Sequence, residues 1–160
     1  MGAQNEVSFA LELLLIPATG HPEVPAADQQ GPRLIISVIF TTVEATLTAL
    51  RRASALANRL SARITLVVPQ VVPYPLPIDS PPVPHEWNER RYRVIASDRP
   101  VETTVHIYLC RDPLDALMTV LTPRSLIVLG GSKRWWWPTS EKRLARKLLR
   151  AGHEVIFTGT

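Results

Sequence analysis

Residues 34–40 read LIISVIF, seven residues with a single hydroxyl among them. Such a run has no polar side to turn toward water. A strand with one wet face alternates apolar and polar residues, whereas a strand covered on both faces, as in a parallel sheet, does not. Runs of the same kind return at residues 64–68 (ITLVV), 125–129 (SLIVL) and 155–158 (VIFT). A chain with several doubly covered strands needs a helix layer on each side of its sheet.

The segments between these runs have helical spacing. Thr41 and Thr42 are placed to cap a helix, and Val43, Leu47, Leu50, Ala57 and Leu60 form an apolar stripe, with Arg51, Arg52 and Arg59 turned away from it. Residues 34–68 therefore read as a βαβ unit, right-handed like nearly all such units. Asp112 followed by Pro113 is a strong helix start, because the carboxylate accepts from free amides while proline is pre-set for the first turn. Leu114, Leu117, Met118 and Leu121 give that helix its stripe. A last helix opens at Pro138, Thr139, Ser140 and Glu141, buries Leu144, Leu148 and Leu149, and stops at Gly152 in a left-handed cap.

Three segments are less regular. Residues 101–109, VETTVHIYL, alternate, which predicts a strand with one more exposed face at the sheet edge. Residues 69–84 hold seven prolines, which predicts an extended surface loop in place of a helix or inner strand, followed by a short helix around Trp87 and Tyr92. Residues 1–32 pair an apolar segment at 7–16, helix or strand, with a proline- and glycine-containing linker. They read as an extension or arm ahead of a domain at 33–160.

Composition removes several classes of function. No apolar run approaches the ~20 residues of a membrane span. Residues 1–20 have no basic residue before their apolar part and carry Glu6 and Glu12, against a secretory signal. A single cysteine, Cys110, cannot make an intramolecular disulfide or a cysteine-based metal site, so a reducing, cytoplasmic setting is expected. His106 has no second ligand at metal spacing. The net charge of +4 is too small to imply nucleic acid by itself. Its excess gathers on the last helix at Lys142, Arg143, Arg146, Lys147 and Arg150, a face that reads first as solvated and only second as a phosphate contact.

Taken together, LIISVIF with its long helix, ITLVVPQVVP, VHIYLCRDPLDALMTVLTPRSLIVLGGSK and the closing helix and strand resemble the universal stress protein (UspA-like) family over residues 33–158. The resemblance implies a Rossmann-like α/β fold, a three-layer open sheet of five mainly parallel strands with helices on both faces. It also implies a homodimer joined through the last strand, here Val155, Ile156 and Phe157. ATP-binding members carry an acidic residue at the end of the first strand and a G-x2-G-x9-G-S/T loop after the fourth. Here Ile39 or Phe40 occupies the acidic position, Gly130 fits the first glycine, Lys133 stands at the second, and the third is missing.

If a nucleotide binds, Gly130, Gly131, Ser132, Lys133, Thr139 and Ser140 would hold it, the first three as an amide nest. Trp135, Trp136 and Trp137 fill the middle of the shortened loop, where indoles cannot reproduce a close backbone cradle. The reading is a non-catalytic regulatory or binding module without a cofactor. In it one indole plugs the vacated nucleotide site and another meets a second subunit or an unknown protein partner. An ATP-binding protein with a divergent loop is the alternative, and nucleic-acid binding through the last helix the third.

Overall fold

The computed structural model describes residues 9–15, 33–97, 101–131 and 139–159. In chain order the elements are β1 (Phe9–Leu15), β2 (Ile35–Ile39), α1 (Val43–Leu60), β3 (Arg63–Val71), α2 (His85–Ser97), β4 (Thr103–Cys110), α3 (Pro113–Val120), β5 (Leu126–Gly131), α4 (Ser140–Arg150) and β6 (Glu154–Gly159). The strands form one sheet in the order β1-β4-β3-β2-β5-β6, parallel throughout. Residues alternate between its two faces, and each face carries a helix layer. One core cluster joins Ile36, Val38, Leu66 and Ile107 to Leu50 of α1 and Ile95 of α2. The other joins Ile39, Tyr108 and Leu129 to Leu117 of α3 and Leu148 of α4.

The doubly covered strands stand where their apolar runs place them, but the sheet is wider than expected. The expected five strands become six, because β1 pairs with β4 in register from Phe9↔Thr103 to Leu15↔Leu109. That pairing also corrects the edge assignment: β4 lies between β1 and β3. The polar positions Thr104 and His106 are only half-exposed.

β3 also continues beyond residue 68, through Pro69 to Val71, where a proline was expected to end it. The ladder explains why. Val72 donates to the Cys110 carbonyl at 2.9 Å, so even-numbered β3 residues face β4 and odd-numbered ones face β2. β2 makes its last contact through Phe40 N–H to Val67 O, so the donor missing at Pro69 points past the end of its neighbour.

Three helix stripes differ in detail from the expected ones. The face of α1 on the sheet is Ala45, Ala49, Leu50, Ala53 and Ala57, while Val43 and Leu60 are exposed. Small residues bring the helix axis close to the sheet, and that closeness leaves the larger residues at its ends outside. Met118 of α3 and Leu149 of α4 are likewise exposed. The caps match expectation: Thr42 accepts from Ala45 N–H, and Asp112 accepts from Leu114 and Asp115 N–H at 2.8 and 2.9 Å. After α4, Gly152 adopts φ 89°, its N–H bonds Leu149 O, and His153 N–H bonds Leu148 O. These two bonds make a Schellman ending.

Candidate functional site

From β2 the chain moves outward to β3 and β4, then returns to β5 on the other side of β2. α1, which follows β2, and α4, which precedes β6, lie on opposite faces of the sheet, and a crevice opens between them at the carboxyl ends of β2 and β5. That is where open α/β sheets place their ligands.

The turn after β2 is fastened to the end of β5. Thr41 N–H donates to Thr46 Oγ1 at 3.2 Å, and Thr41 Oγ1 donates to the Gly130 carbonyl at 3.0 Å. Gly130 and Gly131 both lie within β5, buried and in register with Thr158 and Gly159 of β6. Neither has a positive φ. Each glycine is required by its neighbour. A Cβ on Gly130 would strike the main-chain carbonyl of Ala45, where α1 crosses the strand. A Cβ on Gly131, facing the other layer, would meet Phe157 Cζ at 2.6 Å and Glu141 Cβ at 3.0 Å. The glycines expected to bare their amides to a phosphate are strand residues, of which Gly130 admits the backbone of α1 and Gly131 the side chains of Phe157 and Glu141.

On the α3 and α4 side the described residues leave a cleft of about 450 Å³. Ile39, Phe40, Val71, Leu114, Leu117 and Leu144 line it, and Ser140, Glu141, Arg143 and Lys147 stand along α4 at its border. Phe40, which with Ile39 is one of the two residues expected at the acidic position, packs edge-on against Tyr92, ring centroids 5.3 Å apart, with the Arg91 guanidinium 5.5 Å from its centroid. Thr139 caps α4 by accepting from Lys142 N–H at 3.4 Å. Glu141 adds a carboxylate to the same first turn, so the amino end of α4 already has its negative partners.

Of the expected nucleotide contacts, Ser140 borders this cleft, Thr139 caps the helix behind it, and Gly130 and Gly131 are inside the sheet. Ser132, Lys133, Trp135, Trp136 and Trp137 lie outside the described residues, and with them the proposed indole plug. Val155, Ile156 and Phe157 are half-buried on β6, which forms one edge of the sheet. The basic run of α4 divides: Arg143 and Lys147 reach the cleft, while Arg146 and Arg150 are exposed away from it.

Sequence reasoning missed Leu114 and Val71 as lining residues, and it missed Arg111 altogether. Arg111 donates to Val72 O and Leu76 O at 2.6 and 2.7 Å and stacks 4.1 Å from the Tyr74 ring centroid. Its place just after a strand and just before a capped helix was the available signal.

Among the described residues no group of three His, Cys, Asp or Glu is arranged to hold a metal ion, and no helix is long and apolar enough to cross a membrane. Burial first, and Asp112 second, push the Cys110 thiol up to about 11, so it remains a neutral apolar side chain.

Universal stress protein UspA from Lactobacillus plantarum superposes on 79% of this chain and 99% of its own, with a TM-score of 0.52 at 18% identity. The chain has the fold of a universal stress protein. A protein of that family from Burkholderia pseudomallei aligns over 79% of this chain and 96% of its own at 20% identity, with a TM-score of 0.48. No family model and no curated protein matches the sequence. At this identity the UspA fold carries architecture only, since one fold serves many functions. β1 lies outside the domain expected at residues 33–160 and widens the UspA-like sheet beyond β4.

Proposed function

We propose that this protein is a non-catalytic, cytoplasmic member of the universal stress proteins that acts as a regulatory or binding module, forms a homodimer through β6, and has given up the family's nucleotide site. One observation carries the reading. The glycines positioned for a phosphate loop are built into β5, and Gly130 is held against the Ala45 carbonyl with no room for even a methyl group. Ile39 or Phe40 in place of an acid and Glu141 at the amino end of α4 point the same way, the first removing a polar contact and the second setting a carboxylate where the helix end would meet a phosphate. No carboxylate and histidine stand together at the crevice among the described residues to activate water, which is why the module is read as non-catalytic.

Thermal unfolding with and without millimolar MgATP tests this reading. No shift in midpoint is expected, and a rise of several degrees would restore the ATP-binding alternative. For the dimer, sedimentation should give twice the chain mass, and Val155→Pro, which removes an amide directed away from β5, should yield monomer. A wild-type monomer at micromolar concentration would remove the β6 interface.

A further inference from the structure

A cleft that has lost its phosphate loop need not be idle, and the lining of this one specifies a different ligand. Its volume of about 450 Å³ lies within the range of small-molecule sites. Its floor is aliphatic, with Val71 from β3, Leu114 and Leu117 from α3 and Leu144 from α4. A nucleobase presents donors and acceptors along its edge and needs convergent polar partners; the four floor residues offer none, and of the hydroxyls that line the cleft, Thr41 and Ser140, the first is already given to the Gly130 carbonyl. A flexible hydrocarbon needs none. Arg143 and Lys147 stand four residues apart on α4, hence on one face of the helix, and both line the cleft while remaining exposed. Neither has an ion-pair partner among the described residues. Glu141 also lines the cleft, at the amino end of α4, and it is a single carboxylate against the two cations, so this wall keeps a positive excess. An apolar trough with two cations at one side is complementary to a molecule with an apolar body and an anionic end.

We propose that the cleft between α3 and α4 binds an amphiphilic carboxylate of the fatty-acid class, its chain along Leu114, Leu117, Leu144 and Val71 and its head between Arg143 and Lys147. The proposal rests on the reading of the cleft as relieved of nucleotide binding but not on the dimer.

Calorimetric titration of the full chain with decanoate, with decanol and with MgATP, all below micelle-forming concentrations, tests it. Decanoate should bind about fivefold more tightly than decanol, the increment of one or two partly exposed ion pairs. The double variant Arg143→Gln with Lys147→Gln, at exposed positions, should bind both equally. Leu114→Trp, which fills the trough from a half-buried position, should weaken both by about tenfold. Equal affinity for acid and alcohol in the wild type, binding unaffected by Leu114→Trp in a protein with unchanged thermal unfolding, or no binding of either ligand would each overturn the proposal. A failure with decanoate while MgATP also fails to bind sinks this inference alone. Binding of MgATP in place of decanoate sinks the preceding reading as well.

Discussion

The two faces of the sheet are built on different principles. On one, α1 settles onto β2 and β5 through alanines, close enough that Gly130 must be a glycine. On the other, α3 and α4 each bury one alanine and one leucine, Ala116 with Leu117 and Ala145 with Leu148, and stand apart at the carboxyl ends of the strands, where Leu114 and Leu144 line the cleft. Small residues give a tight seam, and large ones give a seam that can part. The difference teaches why the ligand end of this fold is lopsided: one layer is committed to rigidity, and the other retains room.

Mutations that shrink the core should break the comparison most directly if it is wrong. Leu50 and Leu148 are both fully buried, one under each layer. Leu50→Ala is expected to lower unfolding free energy by about 4 kcal/mol, because its alanine-lined seam cannot close further, and Leu148→Ala by about 2 kcal/mol, because α4 borders open space. Urea titration reads both values, and equal losses would deny the contrast.

Adding atoms sharpens the same point. Gly130→Ala drives a methyl into main chain and should cost about 3 kcal/mol, whereas Gly131→Ala meets the end of a half-exposed ring and should cost about 1 kcal/mol. A reversed order would place the rigid seam on the wrong face. Asp112→Ala removes two amide contacts from the start of α3 and should cost about 1 kcal/mol in the same assay. A loss below a few tenths would mean that α3 is held by its leucines alone.

The smallest effect is in pH. Burial raises the Tyr92 hydroxyl on the α1 and α2 side, against a smaller opposing effect of Arg91, and it raises the Cys110 thiol on the other. Both groups hold their proton more tightly when folded. Stability is therefore complete below the ordinary thiol value of 9.0 and falls as pH rises toward about 11, since above pH 9.0 the folded chain binds more protons than the unfolded one. Urea midpoints should be flat below pH 9.0 and decline above it, and Cys110→Ala should flatten part of the decline. An undiminished decline in that variant would assign it all to Tyr92 and other groups.

Much of this architecture was legible because burial on both faces leaves a direct imprint on composition. LIISVIF and SLIVL could hardly be anything but inner strands, and Asp112 with Pro113 fixed the start of α3 to the residue. What stayed hidden depends on partners distant in sequence. VETTVHIYL alternates as an edge strand would, yet β1 covers its outer side, and nothing within residues 101–109 reveals that neighbour. Pro69 looked like the end of a strand because its tolerance depends on where β2 stops, a matter of register. Gly130 and Gly131 were legible as the site of a phosphate loop in the family resemblance. Their actual role, admitting Ala45 and Phe157, required knowing which helix crosses which strand. The alanine face of α1 was underweighted because a stripe is easier to see in leucines.

The proline-rich segment has a consequence of its own. A proline contributes a carbonyl and no amide hydrogen, so a chain crowded with them carries more acceptors than it can satisfy from within. Arg111 is the complement of that imbalance, since a guanidinium has five donors and accepts nothing. It serves Val72 and Leu76 while its guanidinium carbon sits over the Tyr74 ring between them. A lysine, with one nitrogen and no plane, could not serve both carbonyls and the ring together. The first turn of the loop is thereby riveted to the end of β4, and whatever freedom the segment has begins after Leu76.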